Sequence, residues 1–90
     1  MEEDEPIRIS VTDVFDLHTV PPRDVAAVVD AYLDEAHAMG LTALRIIHGK
    51  GTGALRQVVD EMLRKDTRVR EFHMGSWNEG GAGVTIAVFA

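Results

Sequence analysis

The sequence predicts an α/β domain, a two-layer sandwich with a mixed sheet of four to five strands and two helices on one face, in the order β-β-α-β-α-β-β. Three observations carry that expectation. Apolar runs of strand length alternate with two segments whose apolar residues recur at spacings of three and four. The stretch 45–56 passes from an apolar run through three spaced glycines straight into one of those helical segments. Right-handed crossovers in such an order place both helices on the same side of the sheet.

Taken in order, residues 1–12 read as an acidic tail with a short strand, and residues 13–90 as the domain proper. In the first part Ile7, Ile9 and Val11 alternate with Arg8 and Ser10. Thr12 and Asp13 suit a turn, 14–18 a second strand, and Pro21-Pro22 its end, with Pro22 fitted to a first helical position. A helix follows, because Val25, Val28, Val29, Tyr32, Leu33, Ala36 and Met39 form one stripe, and Gly40 is placed to cap it. Leu44, Ile46 and Ile47 make a short apolar run suited to a buried parallel strand. Leu55, Val58, Val59, Met62 and Leu63 line one face of the second helix. Val69, Phe72 and Met74 mark a strand, 76–83 a glycine-rich loop, and 84–89 a final strand, antiparallel to its neighbour. Trp77 in that loop is expected to cover an edge of the core, with stacking on a base as the minority reading.

Ninety residues make one domain. The absence of cysteine excludes disulfides and thiolate metal sites and points to a reducing compartment. No apolar run approaches membrane-spanning length and the first residues are acidic, so a cytosolic protein without a membrane partner is expected. A net charge of −6 argues against long-range attraction of a polyanion. Its distribution argues for a local basic surface: residues 1–40 carry ten acids against two arginines, whereas 41–75 carry seven Lys or Arg against four acids. Arg64, Lys65, Arg68 and Arg70 read as a solvated helix end and strand edge.

Two corners carry the chemistry. The glycines Gly49, Gly51 and Gly53 let the backbone approach a ligand, the helix start offers N–H groups, and Lys50 and Arg56 flank the turn. That pattern is a phosphate cradle, although it matches neither the nucleotide P-loop nor the dinucleotide fingerprint; a tight turn with no ligand is the plainer alternative. Asp16 and His18, two apart on a strand, put a carboxylate and an imidazole on one side. They suit acid–base work on a phosphodiester or a divalent cation such as magnesium or manganese, unless Asp16 only caps a turn. Both corners lie where a parallel strand ends, the usual place for a ligand in an open α/β sheet. His48 either faces the substrate or packs under the sheet, and His37 and His73 carry no expected role.

Asp16-Leu17-His18, His48-Gly49-Lys50-Gly51-Thr52-Gly53-Ala54-Leu55-Arg56 and Gly80-Gly81-Ala82-Gly83-Val84-Thr85, in this order, resemble the Smr (small MutS-related) domain family over roughly 13–90, in its standalone bacterial form. The resemblance implies a fold similar to the C-terminal domain of the third bacterial translation initiation factor. It implies binding of DNA or RNA and, in several members, nicking or cleavage, with a link to DNA repair or recombination. The family's Leu-Asp-Leu-His-Gly motif falls on Phe15, Asp16, Leu17, His18 and Thr19, so this chain departs from it at both ends. On that basis Asp16, His18 and His48 are the expected catalytic residues. Gly49, Lys50, Gly51, Gly53 and Arg56 are the expected phosphate ligands, and Asp16 and His18 those of a cation. A non-catalytic module for branched DNA, RNA or ribosomes is the alternative, and a binder of phosphorylated metabolites a third.

Overall fold

The computed structural model describes residues 12–51 and 53–90. The strand expected over 7–11 lies outside them. Six regular elements follow in order: β1 (Val14–Asp16), α1 (Val25–Ala38), β2 (Ala43–Ile47), α2 (Ala54–Lys65), β3 (Val69–Met74) and β4 (Val84–Phe89). Their sheet order is β1-β2-β4-β3. β1 and β2 pair in parallel, Asp16 opposite Ile47, whereas β4 runs antiparallel to both β2 and β3. The expected mixed sheet with two helices is thus present, and the final strand is wedged between two that run the other way.

Alternation along the strands builds one core. Phe15, Leu44, Ile46, Thr85, Ala87 and Phe89 point to the helical side, and α1 and α2 answer with Val25, Val29, Tyr32, Leu33, Ala36, Val59 and Leu63. Each large aliphatic side chain sealed there is worth about 1.5–3 kcal/mol over leaving it in water. The Phe15 and Tyr32 rings stack with centroids 3.8 Å apart, and the Tyr32 hydroxyl donates to the Thr12 carbonyl at 2.9 Å. A short turn over Pro22–Asp24 leads into α1, and Gly40, at φ +81°, takes the chain out of it.

The structure corrects several expectations. Met39 and Val58 are exposed rather than part of the apolar stripes, Met39 because it already sits at the cap of α1. Arg68 is no solvated cation. Its guanidinium grips both carboxylate oxygens of Asp66 at 2.9 and 2.7 Å and reaches Asp30 at 3.1 Å and Asp34 at 3.2 Å. That fork ties α1 to the turn before β3; it holds the Asp66 carboxyl below its ordinary range and raises Arg68 further. Trp77 does not cover the core: it is 90% exposed. Its short turn, Trp77–Glu79, is closed on itself by Ser76 and Glu79.

Candidate anion-binding site

Because β1, β2 and β3 share a direction, their carboxyl ends and the start of β4 form one rim. Three connections meet there: the turn after β1, the glycine run after β2 and the loop joining β3 to β4.

The glycine run is held from below. The amides of His48 and Gly49 both donate to the Gly83 carbonyl at 2.9 Å, so the third connection anchors the second. A Cβ on Gly83 would stand 3.4 Å from the Gly49 backbone and from the Lys50 stem. Gly49 (φ +83°) and Gly53 (φ +87°) occupy the left-handed region, which is what two of the three glycines are for. Gly53 is the N-cap of α2 and, as a glycine, brings no capping side chain of its own. The first-turn amides of Leu55 and Arg56 therefore have no acceptor within the helix, at its positive end.

These parts enclose a cleft of about 230 Å³ lined by His48, Gly49, Gly51, Gly53, Ala54, Leu55 and Arg56. Arg56 leans toward Asp60 at 3.6 Å, leaving a half-exposed guanidinium at the wall. Lys50 stands exposed at the rim.

His48 continues the inward parity of Leu44 and Ile46 and is only 6% exposed. Its Nε2 lies 2.8 Å from the Thr85 hydroxyl and its Nδ1 3.1 Å from the Gly49 carbonyl. A carbonyl only accepts, so Nδ1 carries the proton and, in the neutral ring, Nε2 accepts from Thr85. Both ring nitrogens are thus engaged in holding the floor of the cleft. Thr85 escaped sequence reasoning as a site residue. The available signal was a hydroxyl on the inward parity of Ala87 and Phe89, which has to find a buried partner.

Asp16 and His18 are beside the cleft but do not line it. The expected strand 14–18 stops at Asp16, because its Oδ1 accepts the His18 amide at 2.9 Å and turns the chain. The same oxygen lies 2.8 Å from His18 Nδ1. These bonds hold the Asp16 carboxyl below the usual carboxylate range, the backbone bond contributing most. The pair stays next to the glycine run because the Leu17 amide, between its members, donates to the Ile47 carbonyl at 2.9 Å. Asp16 and His18 satisfy each other, and among the described residues no group of three or more His, Asp or Glu side chains is arranged to hold a metal ion.

Fold and rim together define a class: small α/β domains with a glycine-rich turn into a helix where parallel strands end. The family model described as the Smr domain matches residues 15–90, and the chain belongs to that family. It is 67% identical over 58 residues to endonuclease MutS2 of Gemmatimonas aurantiaca, covering 64% of this chain and 7% of that protein. The counterpart from Agathobacter rectalis is 43% identical over 81 residues, 90% of this chain and 10% of that protein. The chain thus spans a tenth or less of the length of these curated relatives. The Smr domain of Thermus thermophilus MutS2 superposes with a TM-score of 0.81 at 44% identity, covering 88% of this chain and 99% of that one. YdaL, a stand-alone small MutS-related protein from Escherichia coli, shares the fold with a TM-score of 0.80 at 24% identity, over 86% of this chain and 63% of that one. Among the described residues no helix is long and apolar enough to cross a membrane.

Proposed function

We propose that the domain binds the phosphodiester backbone of DNA or RNA in the glycine cleft and hydrolyses it. The observation that carries this reading is the cleft over the glycine-capped start of α2, with the Asp16–His18 pair on the adjoining strand end. Its supports in kind are the endonuclease names of the full-length relatives.

In this reading the Leu55 and Arg56 amides, the Arg56 guanidinium and Lys50 hold the phosphate and offset the charge that grows on it. Gly49, Gly51 and Gly53 allow the close approach. Asp16 fixes the His18 ring through Nδ1, which leaves Nε2 of this 72% exposed side chain turned to solvent. Nε2 takes a proton from the attacking water as its oxygen bonds to phosphorus. The imidazolium then returns that proton to the departing ester oxygen. His48 acts as a positioning residue, because its nitrogens are spent on Thr85 and Gly49.

The test is cleavage of supercoiled plasmid and of structured RNA by the purified chain. Asp16→Asn and His18→Ala are expected to slow cutting 100-fold or more, about the contribution of general acid–base catalysis. Lys50→Ala and Arg56→Ala should weaken binding and each flatten its salt dependence by about one phosphate contact. Asp16 and His18 variants that cut at the wild-type rate refute the chemistry.

A second reading, binding without cleavage, is favoured by one observation: the Asp16–His18 pair lies outside the cleft lining. It requires that wild type and all four variants leave both substrates intact while Lys50→Ala and Arg56→Ala still bind less tightly.

A further inference from the structure

Trp77 is the largest apolar side chain in the domain and is left almost wholly in water, although Phe15, Tyr32 and Phe89 are all buried. It is not there for want of order. Ser76 donates its backbone N–H to the Glu79 carboxylate at 2.9 Å and its hydroxyl to the same oxygen at 3.1 Å. These bonds, the Ser76 backbone bond first, hold the Glu79 carboxyl below its usual range; His73 on β3 and Arg45 add to this. The Glu79 and Gly81 amides close back onto the Ser76 carbonyl at 2.8 and 2.9 Å. Gly80, at φ +115°, and Gly81, at φ +68°, then fold the loop down to Gly83, whose carbonyl anchors the phosphate cradle. A hydrogen-bonded pedestal, continuous through Gly83 with the glycine run, presents an indole that is 90% exposed.

Resting on the nucleic-acid reading above, we infer that Trp77 is a stacking platform for an unpaired base of the strand whose phosphate occupies the glycine cleft. A flat π surface is indifferent to which base it receives but requires one that is free of its own helix. The substrate class follows: single-stranded segments, or flaps, bulges and loops, in preference to a continuous duplex. The indole is a specificity-determining group that takes no part in the bond-breaking step.

Trp77 is the chain's one tryptophan, so its intrinsic fluorescence reports on this position alone. The experiment titrates the full chain with fluorescein-labelled oligouridylate, with oligothymidylate and with a blunt duplex of equal length. Tryptophan emission and label anisotropy are followed together. The expected result is quenching of the indole by either single strand, none by inorganic phosphate, and weaker binding of the duplex. Trp77→Ala should weaken single-strand binding about tenfold, the scale of one stacked base, with Trp77→Phe recovering most of it. Neither substitution should lower the melting temperature, since the side chain is packed on nothing. Anisotropy that rises while emission and the Trp77→Ala affinity stay unchanged overturns this inference and leaves the proposed function standing. So does equal affinity for duplex and single strand. Failure of the wild type to bind any of the three overturns both.

Discussion

Gly80 and Gly81 are neighbours in one loop, yet alanine should affect them very differently. At Gly81 the new Cβ would meet nothing within 4 Å, so the cost is that of holding an L residue at φ +68°, about 1–2 kcal/mol. At Gly80 the same strain is present at φ +115°, and the Cβ would in addition lie 3.2 Å from the Val84 Cβ and far inside contact with its Cγ2. Val84 is buried at the start of β4 and pairs with Ile47, so it cannot step aside without disturbing the strand that anchors the glycine run. Such overpacking adds about 1–3 kcal/mol, for a total near 2–5 kcal/mol against a whole-domain stability of about 5–15 kcal/mol. At about 4–8 °C per kcal/mol for a domain of this size, Gly80→Ala should melt about 8–40 °C lower and Gly81→Ala about 4–16 °C lower. Circular dichroism melts of both variants, with Val84→Ala and the Gly80→Ala/Val84→Ala pair, complete the measurement. The pair should show a coupling of about 1 kcal/mol as the smaller side chain makes room. Equal melting temperatures for the two glycine variants, or strictly additive effects in the pair, would refute this reasoning.

Thr85→Val keeps the shape of the side chain but strands the buried Nε2 of His48; a loss of about 1–3 kcal/mol is expected in denaturant unfolding, and wild-type stability would show that the 2.8 Å contact holds nothing together. Arg68→Met should cost about 2 kcal/mol at neutral pH by leaving the half-buried Asp66 carboxylate without its fork. Because the folded Asp66 pKa lies below its unfolded value, the stability it supplies is complete above about pH 4 and is lost as pH falls through the lower folded value. Arg68→Met should therefore also flatten the acid end of the melting-temperature profile, and an unchanged slope there would count against the assignment.

Much of this was legible in the residues because local rules and the tertiary fold agree. The stripe of α1, the stop at Gly40 and the glycine entry to α2 are local patterns, and the structure keeps them. What escaped was non-local. Nothing in 84–89 says that it inserts between β2 and β3, and only that insertion brings Gly83 under the glycine run and Thr85 against His48. Arg68 looked like a surface charge because its partners Asp30 and Asp34 lie more than thirty residues away on α1. Trp77 was misplaced by its own apolarity, a general preference that a self-closed turn overrides. The direction of His48 could have been read from its parity with Leu44 and Ile46, since a strand that keeps its pleat sends all three inward.

β4 follows every other described element along the chain, and it and the Gly83 that leads into it supply the hydroxyl and the carbonyl beneath the glycine run. A chain halted before residue 83 would possess the entire glycine run, Lys50 and Arg56, but no foundation for them. That foundation arrives late, through pairing between segments distant in sequence, which are the slowest contacts to form. The rim is assembled by closure of the whole sheet, so an intact rim is itself a report on completed folding.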